Sequence, residues 1–182
     1  MIIANKKREE NIAEYLLYMW QIEDTIRAYN LDIDAIEKNI IDKYQIDEIT
    51  KKEMRNWYEN LIEMMRHEHL EEKGHLQINK NVLLSLSDLH HRLQKSPNES
   101  FYTAAFYKAL PYIVELRSNA GDNAVGELET CFLALYGILM LRLQGKEISQ
   151  ETIAAIKDIS TFLAILAEKY KQDKAGELKL EE

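Results

Sequence analysis

Apolar residues in this chain recur three and four positions apart and show no strand-like alternation of useful length. A helix advances about 100° per residue, so this spacing gathers them on one face, whereas a half-buried strand would alternate. Ile12, Tyr15, Leu16, Met19, Ile22 and Ile26 form such a stripe and predict a first helix over about 5–29. Asn30-Leu31-Asp32 interrupts it, and Asp32 is suited to cap a short second helix to about residue 43. Thr50-Lys51-Lys52-Glu53 has the form of a capping box and predicts a third helix over about 50–73, stopped by Gly74 in the left-handed position past a helix end. Asn79 or Asn81 caps a fourth, which ends near 95.

The second half is punctuated more sharply. Ser96-Pro97-Asn98-Glu99 places a Ser cap, a Pro at the first helical position and a Glu at the third, and it opens a fifth helix that Pro111 is expected to bend. Gly121-Asp122-Asn123 separates that helix from a sixth over about 125–144, closed before Gly145. Ser149 caps a seventh, to about 173, with an amphipathic stripe of Ile156, Ile159, Leu163, Leu166 and Tyr170. The sixth helix is different: from Cys131 to Leu143 it is apolar on nearly every side, uncharged from Cys131 to Leu141, the signature of a helix surrounded by neighbours. The expected fold is therefore all-α. It is a single-domain bundle of six to seven helices, over 1–173, around a central apolar helix at about 125–144, with 174–182 as a charged, frayed tail.

Composition narrows the function more than the fold. Only 6 Gly and 2 Pro occur in 182 residues, too few for an all-β fold or a flexible linker. A net charge of −8 repels phosphate, and the one dense basic run, Lys6-Lys7-Arg8, is followed directly by Glu9 and Glu10. Neither a nucleic-acid nor a membrane partner is expected. The opening Met-Ile-Ile-Ala-Asn-Lys-Lys has its charges after a very short apolar run, the wrong order and length for a signal peptide, and the longest apolar run is about half a membrane span. These features lead to the expectation of a soluble, cytoplasmic protein. The lone Cys131 excludes an internal disulfide and a Cys-based zinc cluster, and it lacks an identifiable activating neighbour.

Candidate chemistry is sparse. His67, His69 and His75 crowd among glutamates, but His67 and His69 diverge on a helix, and the zinc-protease pattern would need histidine where Glu71 stands. A metal set of His67, Glu71 and His75 would need the helix to run on through Gly74, so no metal is expected. Glu23 is the stronger oddity. It lies within the apolar arc of Leu16, Met19 and Ile26, where a carboxylate needs a partner, and Arg27 one turn on is the obvious one. His90, beside the Val82, Leu86, Leu89 and Leu93 stripe, is expected to be partly buried and hydrogen-bonded. Arg142, near Leu135 and Ile138, is the counterpart charge on the sixth helix. Glu23, Arg27, His90 and Arg142 are the candidate ligand-binding residues. No catalytic set, P-loop, dinucleotide fingerprint or cofactor motif occurs, so no cofactor is expected.

Three stretches carry a resemblance. They are Asn11-Ile-Ala-Glu-Tyr-Leu-Leu-Tyr-Met-Trp-Gln-Ile-Glu-Asp24, Glu72-Lys-Gly-His-Leu-Gln-Ile-Asn-Lys-Asn81 and Glu127-Leu-Glu-Thr-Cys-Phe-Leu-Ala-Leu-Tyr-Gly137. Together they resemble a family of uncharacterised proteins from Bacteroidetes-type bacteria, catalogued as a domain of unknown function. The resemblance covers nearly the whole chain and implies a bacterial origin, with no activity or site residues to transfer. The expected function is non-enzymatic: protein–protein interaction or self-association. The alternative is a small-ligand-binding or enzymatic bundle with a polar pocket around Glu23 and Arg142.

Overall fold

The computed structural model describes residues 2–180, and the described residues form eight α-helices and no strand. These are α1 (Ile2–Glu10), α2 (Ile12–Ala28), α3 (Ile33–Asn39), α4 (Glu48–His67), α5 (Gln77–Lys95), α6 (Ser100–Ala120), α7 (Glu127–Leu143) and α8 (Gln150–Lys174). Short 3₁₀ turns follow α3, precede α6 and follow α6. The all-α reading holds. Glu181 and Glu182 of the expected tail lie outside the described residues.

Several boundaries depart from the sequence pattern, each for a local reason. The expected first helix is two, because Asn11 turns its side chain onto the backbone: its Oδ1 accepts from the Ala13 N–H at 3.0 Å and starts a new helix. α4 begins before the Thr50 box, since the Asp47 carboxylate caps it by accepting from the Thr50 N–H at 2.9 Å and from the Thr50 hydroxyl at 2.7 Å. α4 also stops at His67, short of Gly74. His69 takes φ of 54°, and the Leu70 N–H returns to the Met65 carbonyl at 2.9 Å, closing the helix by a left-handed turn without glycine. Asn79 does not cap α5; it lies in the first turns of that helix with its side chain turned to Glu23.

The chain parts into two compact units. Met1–Glu9 with Glu14–Val82 forms one, and Glu10–Ala13 with Leu83–Glu182 forms the other. In the first, α3 packs on α4, and the Arg55 guanidinium of α4 clamps the pair. It meets Asp34 at 2.8 Å and also Glu37 on α3, with Glu59 of its own helix at 3.4 Å. Leu16, Met19, Trp20 and Ile26 of α2 are almost fully buried.

In the second unit α6 and α8 pack antiparallel. Ion pairs mark the register, with Lys169 to Glu99 near one end and Lys108 to Asp158 further along, at 2.7 and 2.8 Å. Pro111 sits within α6, which continues through it. α7 rests against both α6 and α8. It buries Leu128, Cys131, Phe132 and Ile138, but Leu133 is 43% and Leu143 71% exposed. The helix expected to be surrounded is thus buried or half-buried along most of its length, with Leu133 and Gly137 exposed on one side and Arg142 and Leu143 exposed in its last turn. Its two neighbours within the unit, α6 and α8, leave Leu133 and Gly137 open to water.

Candidate functional site

Glu23 is fully buried on α2, and its partners come from the segment beyond α4 rather than from Arg27. One carboxylate oxygen accepts from the Leu76 backbone N–H at 2.9 Å and from the Asn79 side-chain amide at 2.7 Å. The other accepts from His75 Nδ1 at 2.6 Å. The His75 ring lies flat on the Trp20 indole, with centroids 4.1 Å apart and planes 13° from parallel. Three donors on two oxygens are what make a carboxylate tolerable where no water reaches it.

Arg27 serves the same segment from one turn further along α2. Its Nε donates to the Leu70 carbonyl at 3.1 Å, Nη2 donates to the Gly74 carbonyl, and Nη1 pairs with Asp24 at 2.7 Å. Below them, Glu68 accepts from the Gln77 N–H at 2.7 Å and so caps α5. The connection 68–76 is thereby tied to α2 at four points: the Leu70 and Gly74 carbonyls, the His75 ring and the Leu76 N–H. Of the histidine-rich stretch, His67 ends α4, Glu71 is exposed in the connection, and His75 belongs to Glu23. Among the described residues, no group of three His, Cys, Asp or Glu side chains is placed to hold a metal ion.

His90 and Arg142 belong to the second unit. His90 is 2% exposed within a ring of Tyr102, Phe106 and Phe162. Burial, reinforced by His91, lowers its pKa to about 4, so at neutral pH the imidazole is uncharged. Burial also raises the Tyr102 hydroxyl well above its ordinary value, so the phenol donates to His90 Nδ1, 2.5 Å away. The ring proton then belongs on Nε2, which faces the Glu127 carboxylate at 3.8 Å. Cys131 is fully buried and pushed up to about 12 by that burial, which makes it a small apolar side chain rather than a nucleophile. Arg142 lies exposed in the last turn of α7.

The open side of α7 is the other feature. Positions 133, 136, 137 and 140 share one face, occupied by Leu, Tyr, Gly and Met, and no residue from 130 to 141 carries a charge. Leu133 and Gly137 are exposed, while Tyr136 and Met140 are half-buried. Beside α7, residues of α6 and α8 frame a cleft of about 280 Å³ that Ala134 and Ile138 also line. Two features of the sequence mark this helix without telling whether its cover comes from its own chain. One is the uncharged run, and the other is a glycine at the middle of it, where helix propensity alone would reject glycine.

Glu23 stands out in the sequence as a carboxylate in an apolar arc, but its expected partner Arg27 turns elsewhere, and His75 and Asn79, which hold it, are not indicated by the pattern. Asn79 has the same composition signal as an N-cap, which is how the pattern reads it.

An all-α protein with a carboxylate locked into its interior and one apolar helix partly uncovered is the class that fold and site define. The chain belongs to the family described as a domain of unknown function (DUF4924), whose model matches residues 1–177. No curated protein and no solved structure matches it. No single helix among the described residues is long and apolar enough to cross a membrane.

Proposed function

We propose that this protein is a non-enzymatic cytoplasmic module that works through protein–protein association, with the uncovered face of α7 as its contact surface. One observation carries the reading: a helix without a charge from 130 to 141 leaves Leu133 and Leu143 open to water. Apolar area costs about 25 cal/mol per Å² to keep in water, and an uncharged strip left open at Leu133 and Gly137 is the feature a partner would cover. The Glu23 cluster supports the same reading from the other direction. Its carboxylate is occupied by three donors of its own chain, which is the arrangement of a structural lock.

The test is a photo-crosslinking amino acid placed at Leu133 in the living host, with the exposed Lys157 of α8 as the control position. Protein adducts from position 133 that are absent from 157 are the expected result. Equal or absent adducts at both positions, in a protein that remains folded, would overturn the reading.

A further inference from the structure

The bond from His75 to Glu23 also decides which nitrogen of the imidazole is left reactive. Glu23 Oε1 accepts from the Leu76 N–H and the Asn79 amide, and the ionised Oε2 has no proton to give, so the shared proton lies on His75 Nδ1. The lone pair of the neutral ring is then on Nε2. Trp20 covers one face of the ring and Glu23 its Nδ1 edge, yet the side chain remains 24% exposed. Nε2 has no hydrogen-bond partner among the described residues and is not sealed from water. A carboxylate behind an imidazole activates the far nitrogen, because it stabilises the positive ring that forms when that nitrogen makes a bond. No hydroxyl or thiol of the described residues is hydrogen-bonded to Nε2, so the imidazole itself is the attacking group.

We propose that His75 Nε2 is a phosphoryl-accepting site, supplied by an N-phosphoryl donor of the phosphoramidate class. The proposal is independent of the α7 contact. The Arg27 guanidinium is anchored on the carbonyl of Gly74, the preceding residue, and the exposed Lys73 stands one position further back, so two cations neighbour the place where an anionic group would sit. Glu71 and Glu72, also exposed, stand further away in sequence. A chain of net charge −8 does not gather phosphate by charge alone, whereas a covalent bond to nitrogen does not depend on that attraction.

In the step, the Nε2 lone pair forms the new N–P bond and the P–N bond of the donor breaks. The donor nitrogen, already protonated, leaves with the bonding pair as a neutral amine or ammonia. The ring keeps its Nδ1 proton and carries one positive charge opposite Glu23, and nothing is oxidised or reduced. Glu23 keeps all three donors throughout, so the group alters the surface charge of the 68–76 connection without releasing it.

Potassium phosphoramidate on the purified full chain tests this, with each site read by mass spectrometry under alkaline handling, since phosphoryl-histidine is lost in acid. The other histidines are internal controls: His67, His69 and His91 are exposed, and His90 is buried. His91 is the sharpest, because its Nδ1 donates to the Ser87 carbonyl at 2.7 Å and so frees Nε2 with no carboxylate behind it. His75 should gain the phosphoryl group about tenfold faster than any of them despite its lower exposure, and concentrated urea should erase the difference. Glu23→Gln tests the cause. Its carbonyl oxygen stays with Leu76 and Asn79 while its amide N–H faces Nδ1, so the ring proton moves to Nε2 and the advantage is lost in a chain that circular dichroism still reports as folded. Nitrogen NMR of the His75 ring reads the tautomer in both proteins.

A His75 that reacts no faster than His91, or that carries its proton on Nε2 in the parent, would overturn the proposal. So would an advantage that persists in urea, which would place it in the local sequence rather than in the fold. Should Glu23→Gln fail to fold, the comparison of folded and urea-treated parent still decides.

Discussion

α2 and α7 are each 17 residues long and are both rich in apolar side chains, yet they solve their burial differently. α2 carries a charge in its apolar arc and is nonetheless buried on most of its surface, with Leu16, Met19, Trp20, Glu23 and Ile26 at 2% exposure or less. α7 carries no charge along its middle and still leaves Leu133 and Leu143 in water. Apolarity in a sequence therefore measures how strongly a helix demands cover, but not whether its own chain provides it. For α2 the demand is met internally, down to a carboxylate with three donors. For α7 it is met only in part.

The comparison breaks first at Glu23. Glu23→Ala leaves His75, the Leu76 N–H and Asn79 with no acceptor in a buried site, and should cost about 3–5 kcal/mol of folding stability. That is a large share of what a domain of this size has to spare. Glu23→Gln, which keeps one acceptor oxygen, should cost roughly half as much. Urea unfolding midpoints read both. The matching change on the other helix, Leu133→Asp, should leave the midpoint of dilute protein within about 0.5 kcal/mol, because that side chain is exposed already. If Glu23→Ala proves nearly neutral, α2 is not internally satisfied and the contrast fails.

The closed side of α7 gives the next test. His90, opposite Glu127, is neutral in the folded protein until about pH 4, while an unfolded histidine binds its proton near 6.5. Between those values the unfolded state binds more protons, so stability rises with pH through the window and falls as pH drops from about 6.5 towards 4. The loss amounts to on the order of 3 kcal/mol. His90→Phe should flatten that part of the pH–stability curve. It should also cost about 1–2 kcal/mol at neutral pH, because the buried Tyr102 hydroxyl loses its acceptor. An unchanged slope between pH 4 and 6.5 would show that the closed face is not sealed as tightly as the geometry implies.

These residues also show how far the sequence could be read. The helices, the Ser149 cap and the oddity of Glu23 were legible because each is a local pattern of periodicity or side-chain type. So was the buried, hydrogen-bonded character of His90, from its place beside an apolar stripe. The partners of Glu23 were not, since His75 and Asn79 lie 52 and 56 positions away along the chain. They come within reach only because His69 turns left-handed and ends α4 early, and no residue-type rule assigns that turn to a histidine. Arg27 was expected to pair with Glu23, yet it went to Asp24 and to two loop carbonyls that a sequence pattern does not display. The open face of α7 was hidden for a different reason. A helix apolar all round reads the same whether its cover comes from its own chain or from another.

A middle-sized effect belongs to Arg27→Met, which keeps much of the aliphatic stem but releases the Leu70 and Gly74 carbonyls. About 1–2 kcal/mol should be lost, together with faster hydrogen exchange across 68–76 and no change across α7. Exchange that rises in both regions equally would mean that Arg27 supports the whole fold rather than the one connection.

The smallest effect separates the two helices most cleanly, because it should change sign with concentration. Gly137→Ala adds a Cβ that meets nothing within 4 Å in the chain, and alanine is favoured over glycine inside a helix by about 1 kcal/mol. In dilute protein the variant should therefore unfold at a higher urea concentration than the parent. If the uncovered face associates with itself and the glycine exists to let the partner approach closely, the added methyl pushes that partner away and weakens association. Association adds stability in proportion to the logarithm of concentration, so the parent should overtake the variant as concentration rises. Melts at several concentrations show the crossing point directly. A constant advantage for Gly137→Ala at every concentration would place the glycine against water alone, and the uncovered face of α7 would then be explained by tolerance rather than by a partner.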